Sequence, residues 1–334
     1  MKLILAQPRG FCAGVDRAID VVEIMLRSVG APIYVKHEIV HNQHVVKGFE
    51  KRGVKFIEDP NDVPEGSVLI FSAHGISPEI RNKAATRKLR VIDATCPLVT
   101  KVHIEAARYA KEGYSIILVG HRGHVEMDGT IGEAPEVTQL IESVEEVDSL
   151  TVPDPNKVVY LTQTTLSVDD TAAVIKAIKN KFPNIKEPVK EDICYATTNR
   201  QAAVKELARQ TELVLVVGSP QSSNSNRLRE VAEATGTKSY LVPSVEDMQT
   251  DWIKNINTIG ITSGASTPED VVQEVIKWLQ DHGGQPPQVL KVTEENVYFT
   301  LPHELKDQGI STAEVDEVVK KHQIKSSDKL YTKK

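Results

Sequence analysis

The chain predicts an α/β protein built from three small, similar domains that face one central site. Three observations carry that expectation. Apolar, β-branched strands alternate with amphipathic helices along most of the 334 residues, the pattern of parallel sheets covered on both faces. The three cysteines, Cys12, Cys96 and Cys194, each stand where a strand gives way to a helix. The same succession of elements then follows each of them.

In the first unit the strand KLILAQPRGFC runs into the helix AGVDRAIDVVEIMLRSVG, with Cys12 at the junction. A second strand, PIYVKHEIVHN, ends in a polar tip at His41, and a third, SVLIFSAHG, carries His74. The second unit repeats the order: RKLRVIDATC and Cys96, the helix PLVTKVHIEAARYAKEG, the strand SIILVGHRGHVE ending at His124 and Glu126, and the strand KVVYLTQTT with Gln163 and Thr164. In the third, VKEDIC and Cys194 precede YATTNRQAAVKELARQ, LVLVVGSPQSSN ends at Ser222, Ser223 and Asn224, and TIGITSGAS holds Ser266. His41 follows Cys12 by 29 residues, His124 follows Cys96 by 28, and Ser223 follows Cys194 by 29. Ser77, Ser167 and Thr267 are expected to cap the next helix of each unit, with acids in its first turn. The repeat, roughly 85–100 residues, is too long for a solenoid and suits small α/β domains. The expected boundaries are 1–95, 96–192, 193–283 and a C-terminal strand segment with a basic tail, 284–334.

In parallel sheets ligands collect at the carboxyl ends of strands, where all these polar tips fall. Singly, such residues are ordinary caps and loop residues; their matched places in three units mark one shared site. Composition narrows its chemistry. With 40% hydrophobic residues the chain can bury more than one core. No apolar run approaches the roughly 18 residues of a membrane span and no leader is evident, so a cytoplasmic protein is expected. A net charge of -6 argues against nucleic acid as a partner.

Three widely spaced cysteines make a poor disulfide framework. Each sits at a helix N-terminus, where the macrodipole and free N–H groups are expected to lower the thiol pKa. Structural zinc normally uses four ligands with short paired spacings such as CxxC, which are missing. A four-iron cluster accepts ligands from distant segments, and three thiolates leave one iron open for chemistry. His37, Glu38 and His41 spell HExxH, but PIYVKHEIVHN reads as extended, and four strand residues span about 13 Å, too far for two imidazoles to share one zinc. His124-Val125-Glu126 lacks the downstream PCxxC of a deaminase.

Together RGFCAGVDRAI, HEIVHN, FSAHG, DATCPLVTKVH, TQTTLSVDDT, DICYATTNRQ, SSNSNRL and TSGAS resemble the 4-hydroxy-3-methylbut-2-enyl diphosphate reductase family, which acts last in the non-mevalonate isoprenoid pathway. The likeness runs from about Met1 to Leu305. It implies a three-domain trefoil with pseudo-threefold symmetry around one [4Fe-4S] cluster, ligated by Cys12, Cys96 and Cys194. It implies reductive removal of an allylic hydroxyl, yielding isopentenyl and dimethylallyl diphosphate, with a ferredoxin or flavodoxin as electron donor.

The resemblance further assigns His41, His74, Ser222, Ser223, Asn224 and Ser266 to the diphosphate, and His124, Glu126, Gln163 and Thr164 to the neighbourhood of the reacting hydroxyl. Glu126, with Thr164 and His124, is the implied proton source, a role typically worth about 10²- to 10⁴-fold. Where the family has GHPE this chain has Gly123-His124-Val125-Glu126, so a stiffening proline is replaced while both functional side chains remain. A three-cysteine hydro-lyase of the quinolinate synthase type, which would not consume reductant, is the alternative; a non-catalytic iron-sulfur sensor is a weaker one.

Overall fold

The computed structural model describes residues 1–311 and 313–318. The chain opens with β1 (Lys2–Gln7), α1 (Ala13–Ser28), β2 (Ile33–Lys36), α2 (Gln43–Glu50), β3 (Val54–Ile57), β4 (Val68–Phe71), α3 (Pro78–Thr86) and β5 (Arg90–Asp93). It continues through α4 (Pro97–Lys111), β6 (Ser115–Val119), α5 (Val125–Glu133), β7 (Thr138–Ile141), β8 (Val158–Thr162) and α6 (Val168–Lys181). The last stretch holds α7 (Tyr195–Arg209), β9 (Leu213–Val217), α8 (Ser223–Ala234), β10 (Lys238–Val242), β11 (Thr258–Ser263), α9 (Glu269–Asp281) and β12 (Gln288–Lys291).

These strands form three sheets, ordered β3-β2-β4-β5, β7-β6-β8 and β10-β9-β11-β1-β12, and every pairing is parallel. Both faces of each sheet are covered, as continuous apolar strands require. In β1, Leu3 and Leu5 pack against α9 while Ile4 and Ala6 pack against α7.

The sheet to which β1 belongs departs from the expected first unit. It lies between β11 and β12, in the third sheet, whereas α1 sends Val15, Ile19 and Val22 into the core over β2 and β4. The chain changes domain at Cys12. The same change recurs twice. β5 completes the first sheet, and α4, beginning after Cys96, packs Val102, Ala106 and Tyr109 onto β6 and β8. Lys186 forms a parallel bridge to Val159 of β8, and α7, beginning after Cys194, packs Ala203, Val204 and Leu207 onto the third sheet. Each cysteine therefore sits at a crossover between consecutive domains, which is why three residues so distant in sequence meet at one centre. The segment before a cysteine and the helix after it are sequence neighbours that serve different cores; before Cys194 that segment is not the expected strand, since only the bridge at Lys186 pairs with β8 and residues 187–194 are irregular.

β12 extends the third sheet and is not a separate segment. Beyond it the chain returns to the first domain, where Arg17 Nε donates to the Thr300 carbonyl (2.8 Å) and Leu305, Ile310 and Val318 join the α1 core. Residues 313–318 are helical; the basic run 320–334 lies outside the described residues. Ser77 and Ser167 accept hydrogen bonds from the N–H groups of Ile80 and Asp170, as caps of α3 and α6. Thr267 is not the third cap. Its hydroxyl donates to the Val217 carbonyl (3.0 Å), and Pro268 holds the N-cap position of α9.

Candidate active site

One cavity at the meeting of the three domains is lined by Cys12, Cys96 and Cys194 together with His41, His74, His124, Glu126, Thr164, Ser222, Ser223, Asn224 and Ser266. Its floor is the three thiols. Each cysteine is the N-cap residue of its helix and none uses its side chain to cap it. Burial pushes the Cys12 thiol up to about 11 and Cys96 to about 12, and raises Cys194 as well. The helix N-terminus works as expected but is outweighed: backbone N–H groups of Val15, Leu98, Val99 and Thr197 lower these values by less than burial raises them. The expected net lowering is thus reversed.

Gly14 opens the floor. A Cβ there would lie 2.6 Å from the Cys96 Sγ and 3.9 Å from that of Cys12, so the thiols flank a space that any other residue would fill. Glycine in the first turn of a helix is disfavoured, and that was the available sequence signal for this position. The helix starts around the floor are tied together. The Ala13 N–H donates to the Tyr195 hydroxyl (3.0 Å), and the buried Arg200 donates to the Gly10 carbonyl (2.8 Å) and to Glu295 (2.9 Å).

The walls differ from domain to domain. From the first come His41 and His74, stacked with ring centroids 4.0 Å apart. Burial and the neighbouring imidazoles push His74 well below the usual histidine range. From the second comes His124, pushed down to about 3 for the same reasons. Its Nδ1 accepts the Glu126 N–H (3.2 Å), so in the neutral ring the proton sits on Nε2. The Glu126 carboxylate accepts from the Thr164 N–H (2.7 Å) and the Thr164 hydroxyl (3.0 Å). Burial still dominates and raises it to about 7.

The third domain supplies the N-terminus of α8, capped by Ser222. Asn224 Oδ1 accepts the Ala265 N–H (2.9 Å), leaving its buried Nδ2 without a hydrogen-bond partner. The Ser266 hydroxyl donates to the His41 carbonyl (3.1 Å), and Thr165 Oγ1 donates to Ser223 Oγ (3.0 Å), so hydroxyls stitch the domains together at the rim.

Gln163 does not line the cavity. It is fully buried, accepting the His121 N–H (3.0 Å) and donating to Thr165 Oγ1 (2.9 Å). The neighbouring Thr165 takes its place at the surface of the cavity. Both residues lie beyond the end of β8 at Thr162, in the turn that leads to α6, where strand alternation no longer sets the direction of a side chain. Residues 37–41 are a bend between β2 and α2, not extended, and the His37 and His41 ring centroids are 5.5 Å apart. The 13 Å separation expected of a strand does not hold.

Residues 3–280 match the family model of the LytB protein. The chain belongs to the LytB family. Among curated LytB relatives, 4-hydroxy-3-methylbut-2-enyl diphosphate reductase of Hahella chejuensis is 53% identical over 93% of this chain and 99% of its own length. That of Haemophilus influenzae is 53% identical over 93% of this chain and all of its own length. A solved structure, the E-1-hydroxy-2-methyl-but-2-enyl-4-diphosphate reductase from Plasmodium falciparum, is 47% identical, covers 92% of this chain and 99% of its own, and superposes with a TM-score of 0.88. A second, the (E)-4-hydroxy-3-methyl-but-2-enyl diphosphate reductase described as the terminal enzyme of the non-mevalonate pathway, is 30% identical over 84% of this chain and all of its own, with a TM-score of 0.60.

Proposed function

We propose that the chain reduces 4-hydroxy-3-methylbut-2-enyl diphosphate to isopentenyl and dimethylallyl diphosphate. The C–O bond to the hydroxyl breaks, a C–H bond forms, and two electrons and two protons are taken up as water leaves. One observation carries the reading: a single cavity joins three half-buried thiols to one protonatable carboxylate and a ring of N–H and O–H donors.

The floor fits an iron-sulfur cluster. Three half-buried thiols with raised pKa values face an open space, where the Arg200 charge near Cys12 and Cys194 offsets only part of the burial effect, and bound iron would reverse that effect by favouring the thiolates. Among the described residues no three ligands lie close enough for a single metal ion, whereas a cluster, several atoms across, takes ligands set farther apart. We assign it as one [4Fe-4S] cluster held by Cys12, Cys96 and Cys194. When bound, such a cluster supplies electrons singly and, at an iron without a thiolate, a Lewis-acidic position.

The protein side chains do the rest. His41, His74, Ser222, Ser223, Asn224 and Ser266 offer donors to the diphosphate, and the free Asn224 Nδ2 is a buried donor in want of an acceptor. The anion's charge favours a proton on His74, which burial and the neighbouring imidazoles otherwise keep neutral. Val15, Val40, Leu98 and Val99 line the same cavity and suit a branched five-carbon chain. Glu126, near 7, is part-protonated at neutral pH, and with Thr164 Oγ1 on its carboxylate and His124 beside it, it delivers the proton on which the hydroxyl leaves as water. The proton for the new C–H bond comes from the bound diphosphate. A ferredoxin or flavodoxin supplies the electrons. No helix among the described residues is long and apolar enough to cross a membrane.

The test is product identification. Cluster-loaded protein, incubated anaerobically with a viologen reductant and the hydroxylated diphosphate, should yield both five-carbon diphosphates by mass spectrometry. Recovery of unchanged substrate from a cluster-loaded, reduced sample would sink the proposal.

A further inference from the structure

We propose that His37, held by Glu58, is a positioning residue that fixes the stacked His41 and His74 rings for anion binding; this rests on the reading of those two rings as diphosphate ligands. His37 does not line the cavity. Three observations give it a part in the site all the same. Its backbone is left-handed, φ +59°, a conformation that glycine adopts readily and that is uncommon for residues carrying a Cβ. Such a residue persists only where its surroundings over-determine it, and such residues cluster at functional sites.

Its ring meets both partners edge-on, 5.5 Å from His41 and 6.0 Å from His74, with interplanar angles of 80° and 78°. The edge of an imidazole placed across two stacked rings blocks their rotation. The Glu58 carboxylate, which can only accept, lies 2.8 Å from His37 Nδ1, so that nitrogen carries a proton. Glu58 is anchored in turn by Lys36 (2.8 Å). The charged or titratable groups facing the cluster are therefore Glu58 and Lys36 behind His37, Glu38 on the Nδ1 of His41 (3.4 Å), and His124, whose ring stands 5.5 Å from His41. The strained bend thus places a carboxylate-backed imidazole behind the two that face the cavity.

His37→Gly and His37→Asn both suit the left-handed backbone and remove the ring, which separates strain from function. Inorganic diphosphate binding to the cluster-loaded protein, measured anaerobically by calorimetry, should weaken about fivefold to twentyfold in both variants. KM for the allylic diphosphate should rise in step while kcat changes by less than about twofold, and the melting temperature should hold. Glu58→Gln should move KM in the same direction by less. Wild-type affinity in both His37 variants overturns the proposal, as does a loss of affinity that appears only with a fall in melting temperature. Should wild-type protein fail to bind diphosphate, or His41→Asn bind it unchanged, the reading of the two rings as ligands falls, and the role of His37 falls with it.

Discussion

The floor and the walls of the cavity are built from the same repeated topology and treat it in opposite ways. On the floor all three domains contribute the same residue at the same crossover: Cys12, Cys96 and Cys194, each the N-cap of the following helix. On the walls the equivalent strand ends have diverged into two histidines, a His-Glu-Thr set, and a Ser-Asn cluster. A compact cluster presents the same face to each domain, so threefold repetition serves it. The substrate has a charged end, an apolar middle and a reacting hydroxyl, and only divergence can match the three.

The largest expected effects come from the floor, and they should be equal. Cys12→Ser, Cys96→Ser and Cys194→Ser should each lose bound iron and drop turnover below about one per cent of wild type. One variant that kept a full complement of iron would break the equivalence. Gly14→Ala should fail in the same way, because its Cβ would meet the Cys96 Sγ at 2.6 Å.

The walls should fail one at a time and with the floor intact. Glu126→Gln should keep iron content and diphosphate affinity while kcat falls about 10²- to 10⁴-fold. Glu126 is raised to about 7 by burial, so its acid form is lost as pH rises through that value. Wild-type kcat should therefore fall above about pH 7, and the residual rate of the variant should lack that limb. Next in size is Asn224→Asp, which keeps the acceptor for the Ala265 N–H but replaces the free donor with negative charge. Its KM should rise about 10- to 100-fold with little change in kcat.

Much of the site was legible in the sequence because cysteine position and strand-end chemistry are local signals. The sheet that takes β1 was not, because pairing partners are chosen by the whole assembly: residues 2–7 read equally well as a first or a fourth strand, and the crossover at Cys12 carries no local mark. The bend at His37–His41 was hidden by β-branched neighbours that favour extension. Gln163 and Thr165 lie in the turn beyond β8, where no periodicity in the sequence says which side chain enters the cavity. The thiol acidities were misjudged because a helix N-terminus is visible in sequence and the depth of burial is not.

The smallest expected effect tests whether a raised pKa alone marks function. Asp20 on α1 is, like Glu126, pushed up to about 7 chiefly by burial, yet it does not line the cavity. With a folded value above the unfolded 3.8, its contribution to stability is fully present below about pH 4 and is lost as pH rises through about 7. Asp20→Asn should flatten that part of the stability profile, by about 2–4 kcal/mol at pH 8, and leave kcat within about twofold. A kcat loss comparable to that of Glu126→Gln would undo the distinction between carboxylates in the walls and carboxylates in the core.

Floor and walls meet in one event, the transfer of electrons to a bound substrate. The most direct measurement follows reduced methyl viologen anaerobically over cluster-loaded protein as the hydroxylated allylic diphosphate is added in known amounts. Oxidation that starts with the substrate and stops at two electrons for each molecule added is the expected result. A protein holding its full cluster that consumed no reductant, or consumed it without regard to substrate, would contradict a reductase and leave the hydro-lyase or sensor readings of the same three cysteines.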